Sequence, residues 1–300
     1  MRKRIKLSQN FLKSKKLVRK LIVNSSISKD DIVYEIGAGN GIITEKLIKY
    51  CRKVVAFEID QNLYDKLNQK LKKYPERAEL KQKNFIKHPL PKYKYKVFAN
   101  IPFNITADII KKLAFSSNPP EDSYLIIQKE ASNKFVGRPL NSSNTLISIL
   151  MKVDFQMEIF HKFDKSDFFP KPRVEIVMLR IRKKDKPLVS KRERASFYDF
   201  VTFTYSQFET NILKGLDKIM DEQTIRRIAK DIRFSVSSKP SQLEIGHWVA
   251  LFEKFLQHST KTQRNEVEGS FQELKIQQSR LQKIHRTRRD KNWKKSRTRQ

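Results

Sequence analysis

Acidic residues are scarce in this chain. Its 300 residues include 32 Asp+Glu against 64 Lys+Arg, a formal net charge of +32 at pH 7 with a pI near 10.1. That imbalance excludes an ordinary metabolic enzyme acting on a small neutral substrate. It points to a partner rich in negative charge, nucleic acid ahead of an anionic membrane. Cysteine is nearly absent: Cys51 stands alone. A disulfide framework and a Cys-built zinc site are thereby excluded, and a reducing, cytosolic setting is expected. The five histidines, His88, His161, His247, His258 and His285, never pair at ligand spacing, so no metal is expected. No apolar run approaches the ~20 residues of a membrane-spanning helix. The basic start, Met1 to Lys6, runs into Ser8-Gln9-Asn10 rather than an apolar signal core, so neither membrane insertion nor secretion is expected. No segment repeats.

What is present is an alternation. Asp31–Ile36, Lys53–Asp60, Lys96–Asn100 and Tyr124–Ile127 are short apolar runs rich in Val, Ile and Phe. Thr44–Tyr50, Leu63–Tyr74 and Thr106–Phe115, lying between them, have helical spacing. The βαβα rhythm predicts an α/β fold with a mainly parallel sheet covered on both faces. Asp154–Phe163 and Arg173–Arg182 follow without an intervening helix and are expected to pair antiparallel at the sheet edge. Lys183-Lys-Asp-Lys-Pro187 marks a boundary, after which Phe197, Phe200, Val201, Tyr205, Ile225, Ile228, Ile232 and Leu243–Leu256 carry helical stripes. The chain thus divides into an α/β domain over 1–183, a small α-helical domain over 184–260, and a basic, flexible tail over 261–300, in which Phe271, Leu274 and Leu281 stripe a marginal helix, either frayed in solvent or docked. Ile284–Gln300 holds eight Lys+Arg against Asp290 alone, 8 − 1 = +7, and is expected to act as a disordered or loosely helical phosphate-binding arm.

Four motifs carry chemistry. Glu35-Ile-Gly-Ala-Gly-Asn-Gly41 follows the first strand, where glycines let backbone turn sharply and approach a ligand. Alone it is a turn. Glu58 ends the next strand, 58 − 37 = 21 positions after Gly37, where an acid accepts ribose hydroxyls. Loop and acid together indicate an adenosine-containing cofactor, and the Glu-x-Gly-x-Gly opening is the form associated with S-adenosylmethionine rather than NAD. No Gly-x-x-x-x-Gly-Lys-Ser/Thr is present, which disfavours ATP. Asn100-Ile101-Pro102-Phe103 ends a later strand. An adenine N6 is a poor nucleophile because its lone pair is delocalised into the ring. An Asn oxygen and a backbone carbonyl, stiffened by proline, suit its two hydrogens, and Phe103 offers a face for a base taken out of its helix. Read alone, the same residues make a strand-end turn with a core Phe. Ser8-Gln9-Asn10-Phe11-Leu12 is a candidate lid. Phe168-Phe169-Pro170-Lys171-Pro172-Arg173-Val174 supplies a candidate second stacking face, Phe168, with Lys171 and Arg173 for phosphate and with one of its two phenylalanines packed in the core.

Together these motifs resemble, in order and spacing from Ser8 to about Ile181, the Erm family of 23S rRNA adenine-N6 methyltransferases, which confer macrolide–lincosamide–streptogramin B resistance. The resemblance implies a Rossmann-like class I S-adenosylmethionine-dependent methyltransferase domain with a small C-terminal helical domain and a basic tail. It implies cofactor contacts from Asn10, Leu12, Gly37, Gly39, Glu58, Ile59, Asn84 and Asn100, and a target adenine held by Asn100, Ile101, Pro102 and Phe103. It also implies 23S rRNA as the partner, before full ribosome assembly, and a cytoplasmic monomer. Two positions depart from the family: Asn84 replaces the usual Asp, and Phe103 replaces the usual Tyr. The KsgA family of small-subunit rRNA dimethyltransferases shares Gln-Asn-Phe-Leu but usually carries Asn-Leu-Pro-Tyr, so Ile101 favours Erm. A non-catalytic RNA-binding assembly factor on the same fold is disfavoured by intact Gly37, Glu58, Asn100 and Phe103.

Overall fold

A computed structural model describes residues 10–139, 144–207 and 211–280. The strands are β1 (Phe11–Leu12), β2 (Ile32–Ile36), β3 (Lys53–Phe57), β4 (Ala78–Lys81), β5 (Lys96–Asn100), β6 (Asp122–Gln128), β7 (Phe155–Lys162), β8 (Phe168–Phe169) and β9 (Ile176–Lys183), and β2, β3, β6 and β9 form where Val and Ile cluster. Helices α1 (Lys15–Val23), α2 (Thr44–Tyr50), α3 (Gln61–Leu71), α4 (Thr106–Ala114), α5 (Lys129–Val136) and α6 (Leu146–Lys152) intervene. Their starts are set by side-chain caps where the sequence supplies them. Ser14 accepts from Leu17 N–H at 3.1 Å, and Asp60 from Leu63 N–H at 3.1 Å.

The main sheet has the order β4-β3-β2-β5-β6-β9-β7. The first five are parallel, while β9 runs antiparallel to both β6 and β7. The expected antiparallel pair therefore does close the sheet edge. The chain steps outward from β2 to β4, then returns to the other side of β2 as β5. That reversal opens a crevice at the carboxyl ends of β2 and β5. One face is packed by Val18, Leu47 and Leu67, the other by Ile109, Ile110 and Leu113. β4 and the short β1 and β8 have no period-two pattern long enough to be read from sequence.

Helices α7 (Arg194–Ser206), α8 (Ile212–Leu216), α9 (Glu222–Asp231) and α10 (Ile245–His258) surround an aromatic core. Phe197 meets Phe252 edge-on at 5.3 Å, and Phe200 lies 5.0 Å from Phe255. Ile149 and Leu150 of α6 belong to the same cluster, so the helical part is built onto the α/β part through a shared core. Asp154 reinforces the junction, accepting from Arg194 at 2.7 Å and from the Tyr198 hydroxyl at 3.2 Å.

The loose tail expected from 261 onward is corrected over its first twenty positions. Residues 261–280 form α11 (Lys261–Val267) and α12 (Ser270–Arg280). The Asp199 carboxylate of α7 accepts Gly269 N–H at 3.1 Å and Phe271 N–H at 2.9 Å, satisfying donors at the start of α12. Phe271 packs against Phe115 at 5.7 Å and Tyr198 at 5.3 Å, and Val267 is buried. Apolar density along the sequence is low here, but a few well-placed rings suffice once α4 and α7 supply the opposing surface. Phe271→Ala should cost about 2 kcal/mol, less than a fully buried phenylalanine, as read by urea unfolding. The arm Ile284–Gln300 and the lid positions Ser8 and Gln9 lie outside the described residues.

Candidate active site

Three strand ends meet at the crevice. From β2 the chain enters the glycine loop, which folds over β3 because Gly37 and Ala38 N–H both donate to Phe57 O at 2.9 and 3.0 Å. Gly37 has φ +76° and Gly39 φ +54°, a region costly for other residues. A Cβ on Gly37 would point 3.7 Å from both Asn100 O and Pro102, into the gap between the loop and the β5 end. A Cβ on Gly39 would meet the Phe11 ring at 2.9 Å.

At the end of β3, Glu58 is 3% exposed. One carboxylate oxygen accepts Gly39 N–H at 2.8 Å, and the other accepts Ile59 and Asp60 N–H at 2.8 and 2.9 Å. The acid thus holds the glycine loop to the next strand, a role its spacing does not reveal. At the end of β5 the Asn100 amide nitrogen donates to Asn10 O at 2.8 Å. Its amide oxygen has no hydrogen-bond partner among the described residues, and Asn100 lines the crevice. Ile101 is buried beneath, while Pro102 leads into the single turn Phe103–Ile105.

Two hollows result, sharing Gly37 and Pro102 as their common wall. The first is bounded by Asn10, Leu12, Gly39, Asn100 and Phe103, with Glu35 at its base. The second is bounded by Glu58, Ile59, Asn84 and Ile86. Asn84 caps the turn Phe85–Lys87, its oxygen accepting Ile86 N–H at 2.9 Å. Ile59 is 55% exposed, a large apolar side chain bare beside an open hollow.

The lid comes from two distant motifs. β1 pairs antiparallel with β8, Phe11 opposite Phe169 and Leu12 opposite Phe168. Successive strand residues face opposite ways, so Phe168 is 2% exposed while Phe169 is 70% exposed. Phe168 packs on Phe163 at 5.3 Å and on the sheet core. The stacking role expected of Phe168 is therefore corrected: its ring is the core member of the pair, and the open ring is that of Phe169. Phe11, over Gly39, and Glu35 stand in the sequence only as members of their motifs; the close approach to the glycine loop for Phe11 and burial for Glu35 were the missing signals.

Glu35 is 1% exposed. Burial pushes its carboxyl up to about 8, against a lowering bond from the Thr44 hydroxyl at 2.5 Å. The folded state therefore keeps a proton that the unfolded chain releases near its ordinary 4.5. This group's contribution to stability falls as pH rises from about 4.5 to about 8 and is level above. Glu35→Gln keeps an acceptor for Thr44 and removes the titration. Its melting temperature should gain on the wild type from pH 5 to pH 8 and then run parallel, checked by calorimetric melts across that range.

Among the described residues, no cluster of His, Cys, Asp and Glu is placed to hold a metal ion, and no helix is long and apolar enough to cross a membrane.

With this geometry in hand, the relatives are informative. The family described as ribosomal RNA adenine dimethylase matches residues 1–257. The chain belongs to that family. An rRNA adenine N-6-methyltransferase of Limosilactobacillus reuteri is 36% identical over 201 residues, covering 67% of this chain and 79% of that protein. A ribosomal RNA small subunit methyltransferase A of Mycoplasmopsis pulmonis is 27% identical over 254 residues, 84% of this chain and 98% of its own length. The crystal structure of the 23S rRNA methyltransferase ErmE superposes with a TM-score of 0.74 at 23% identity, over 83% of this chain and 100% of that one. The fold is thus the Rossmann-like S-adenosylmethionine-dependent methyltransferase fold with a C-terminal helical region. The dimethylase family is one of S-adenosylmethionine-dependent rRNA adenine-N6 methyltransferases, and this enzyme is one of them. The family match ends before α11 and α12.

Proposed function

We propose that the enzyme methylates the exocyclic N6 of an adenosine in 23S rRNA, giving resistance to macrolide, lincosamide and streptogramin B antibiotics. The carrying observation is the Asn100 amide. Its nitrogen is fixed on Asn10 O, its oxygen has no hydrogen-bond partner among the described residues, and Asn100 lines the first hollow with Phe103 alongside. The 23S target is supported by Asn100-Ile101-Pro102-Phe103 in the Erm form, and adenine N6 as the acceptor by the 36% identity to the Limosilactobacillus rRNA adenine N-6-methyltransferase.

The residues fit S-adenosylmethionine. The gap that a Gly37 Cβ would fill leaves room for a ligand spanning both hollows. Ile59 and Ile86 offer apolar faces for an adenine in the second, beside Asn84, and the Glu58 oxygen that accepts only Gly39 N–H has a lone pair remaining for a ribose hydroxyl. Asn10, Leu12, Gly37, Gly39 and Asn100 would hold the amino-acid end in the first hollow. When bound, the cofactor supplies an electrophilic methyl group on a sulfonium. The chain's own residues do the rest by positioning. Phe103 holds the flipped base by stacking. The Asn100 oxygen and a neighbouring backbone carbonyl accept the two N6 hydrogens, drawing the nitrogen toward a tetrahedral shape with its lone pair on the methyl. With the cofactor bound, the N6–C bond would form as the methyl carbon leaves the sulfonium, and the N6 proton would then pass to water. The excess of basic residues serves the phosphates, and the enzyme acts as a cytoplasmic monomer on rRNA before full ribosome assembly.

The 27% identity spanning nearly all of the Mycoplasmopsis relative favours a second reading, small-subunit rRNA as substrate. Incubation with labelled cofactor and each subunit's rRNA, free and assembled, separates the two. Label in large-subunit rRNA is the expected result. Label confined to small-subunit rRNA replaces the target, and tight cofactor binding with no label on either rejects catalysis.

A further inference from the structure

The crevice does not end at the target site. Phe103 also borders a depression between α4 and α5 that contains Lys111 and Lys134. Lys111, Thr145 and Ile147 are shared in turn with an apolar hollow completed by α12, through Phe271, Leu274 and Lys275. Depressions that share walls form one groove, running from the Asn100–Phe103 loop across α4 to α12.

Its chemistry is that of a strand-binding surface. The Lys275 ammonium lies over the Phe271 ring at 4.8 Å, and Lys111 donates to Gln278 across the groove at 2.9 Å. Glu130, at the near end, is paired with Lys134 at 3.5 Å. An apolar floor, the partly exposed rings of Phe103 and Phe271, and the exposed Lys134 and Lys275 on the rim suit bases and phosphates of an unstacked strand. An adenosine extruded into the target site leaves its neighbours splayed at that groove's mouth.

We propose that this groove is the path of the single-stranded RNA flanking the target adenosine, and that α12, outside the family match, builds its far end. The proposal rests on reading the Asn100 site as the methylation site. The occupant is argued from continuity with that site and from charge complementarity.

The test measures affinity apart from methyl transfer. Fluorescent single-stranded oligoadenylates of increasing length are titrated against the full chain. Wild type should gain affinity with length until the groove is filled. Lys275→Glu should bind the shortest oligonucleotide and S-adenosylmethionine as wild type does. It should bind the longest about tenfold more weakly at low salt, with a salt slope shallower by roughly 0.7 for each phosphate no longer neutralised. Gln278→Glu, on the same exposed face, should act in the same direction. Identical length dependence in wild type and both variants overturns the proposal. So does a concentration-dependent dimer abolished by the same substitutions, which would assign the groove to a second copy. Because methylation of rRNA is scored separately, a chain that binds along the groove yet methylates nothing would sink the functional reading and leave the groove standing.

Discussion

Asn100→Ala will lower single-turnover methyl transfer by about 10²- to 10³-fold, the usual effect of removing one group that binds developing charge. RNA affinity should change little, because the bonds to N6 gain most strength when that nitrogen becomes tetrahedral. The substitution also cuts the link from Asn100 to Asn10 O, so cofactor affinity must be measured beside turnover. Asn100→Asp should be almost as damaging. It keeps an oxygen for N6 but sets a carboxylate against the Asn10 carbonyl where an N–H donated before. Phe103→Leu should be damaging too, while Phe103→Tyr keeps the stacking face and should be tolerated. Near-normal turnover in a folded Asn100→Ala enzyme would reduce the motif to a strand-end turn.

Glu58→Ala should weaken S-adenosylmethionine binding by roughly 1–3 kcal/mol, the cost of losing a bond to a charged group. The structure adds a second consequence. Three backbone N–H groups, of Gly39, Ile59 and Asp60, lose their acceptor. The glycine loop should loosen, and the melting temperature should fall with the affinity. Glu58→Gln tests the same point more gently. An amide keeps one oxygen, but its NH₂ must then face a backbone donor. Calorimetric titration and thermal melts of both variants decide between roles. A lowered melting temperature with wild-type cofactor affinity would make Glu58 a loop clamp only.

Much of this architecture was legible in the chain. Thr44–Tyr50 and Lys96–Asn100 occur as their spacing predicts, and β7 and β9 pair antiparallel at the edge. These elements are governed by interactions local in sequence: β-branched runs, helical spacing and glycines at strand ends. The glycine loop, Glu58 and Asn100 were likewise identifiable, because a doubly wound sheet puts successive strand ends on one side.

Other features depended on contacts that no local pattern encodes. The sequence alone specified a basic α/β protein with a nucleotide-type loop, an acid after the second long strand, and an Asn-Ile-Pro-Phe turn. Only the tertiary structure decided that Phe11-Leu12 and Phe168-Phe169 form one ribbon, and therefore which phenylalanine is core and which is open. Pairing register sets the face of every side chain, and register is fixed between strands rather than within one. Only packing decided that the helical stripe at Phe271 and Leu274 is docked rather than frayed, because Phe271 finds Phe115 and Tyr198, more than seventy positions away in sequence, and Val267 joins the same core. Burial, finally, decided the state of Glu35. Its carboxyl is raised by the desolvation that comes from being enclosed, a property of the folded surroundings and not of the residue.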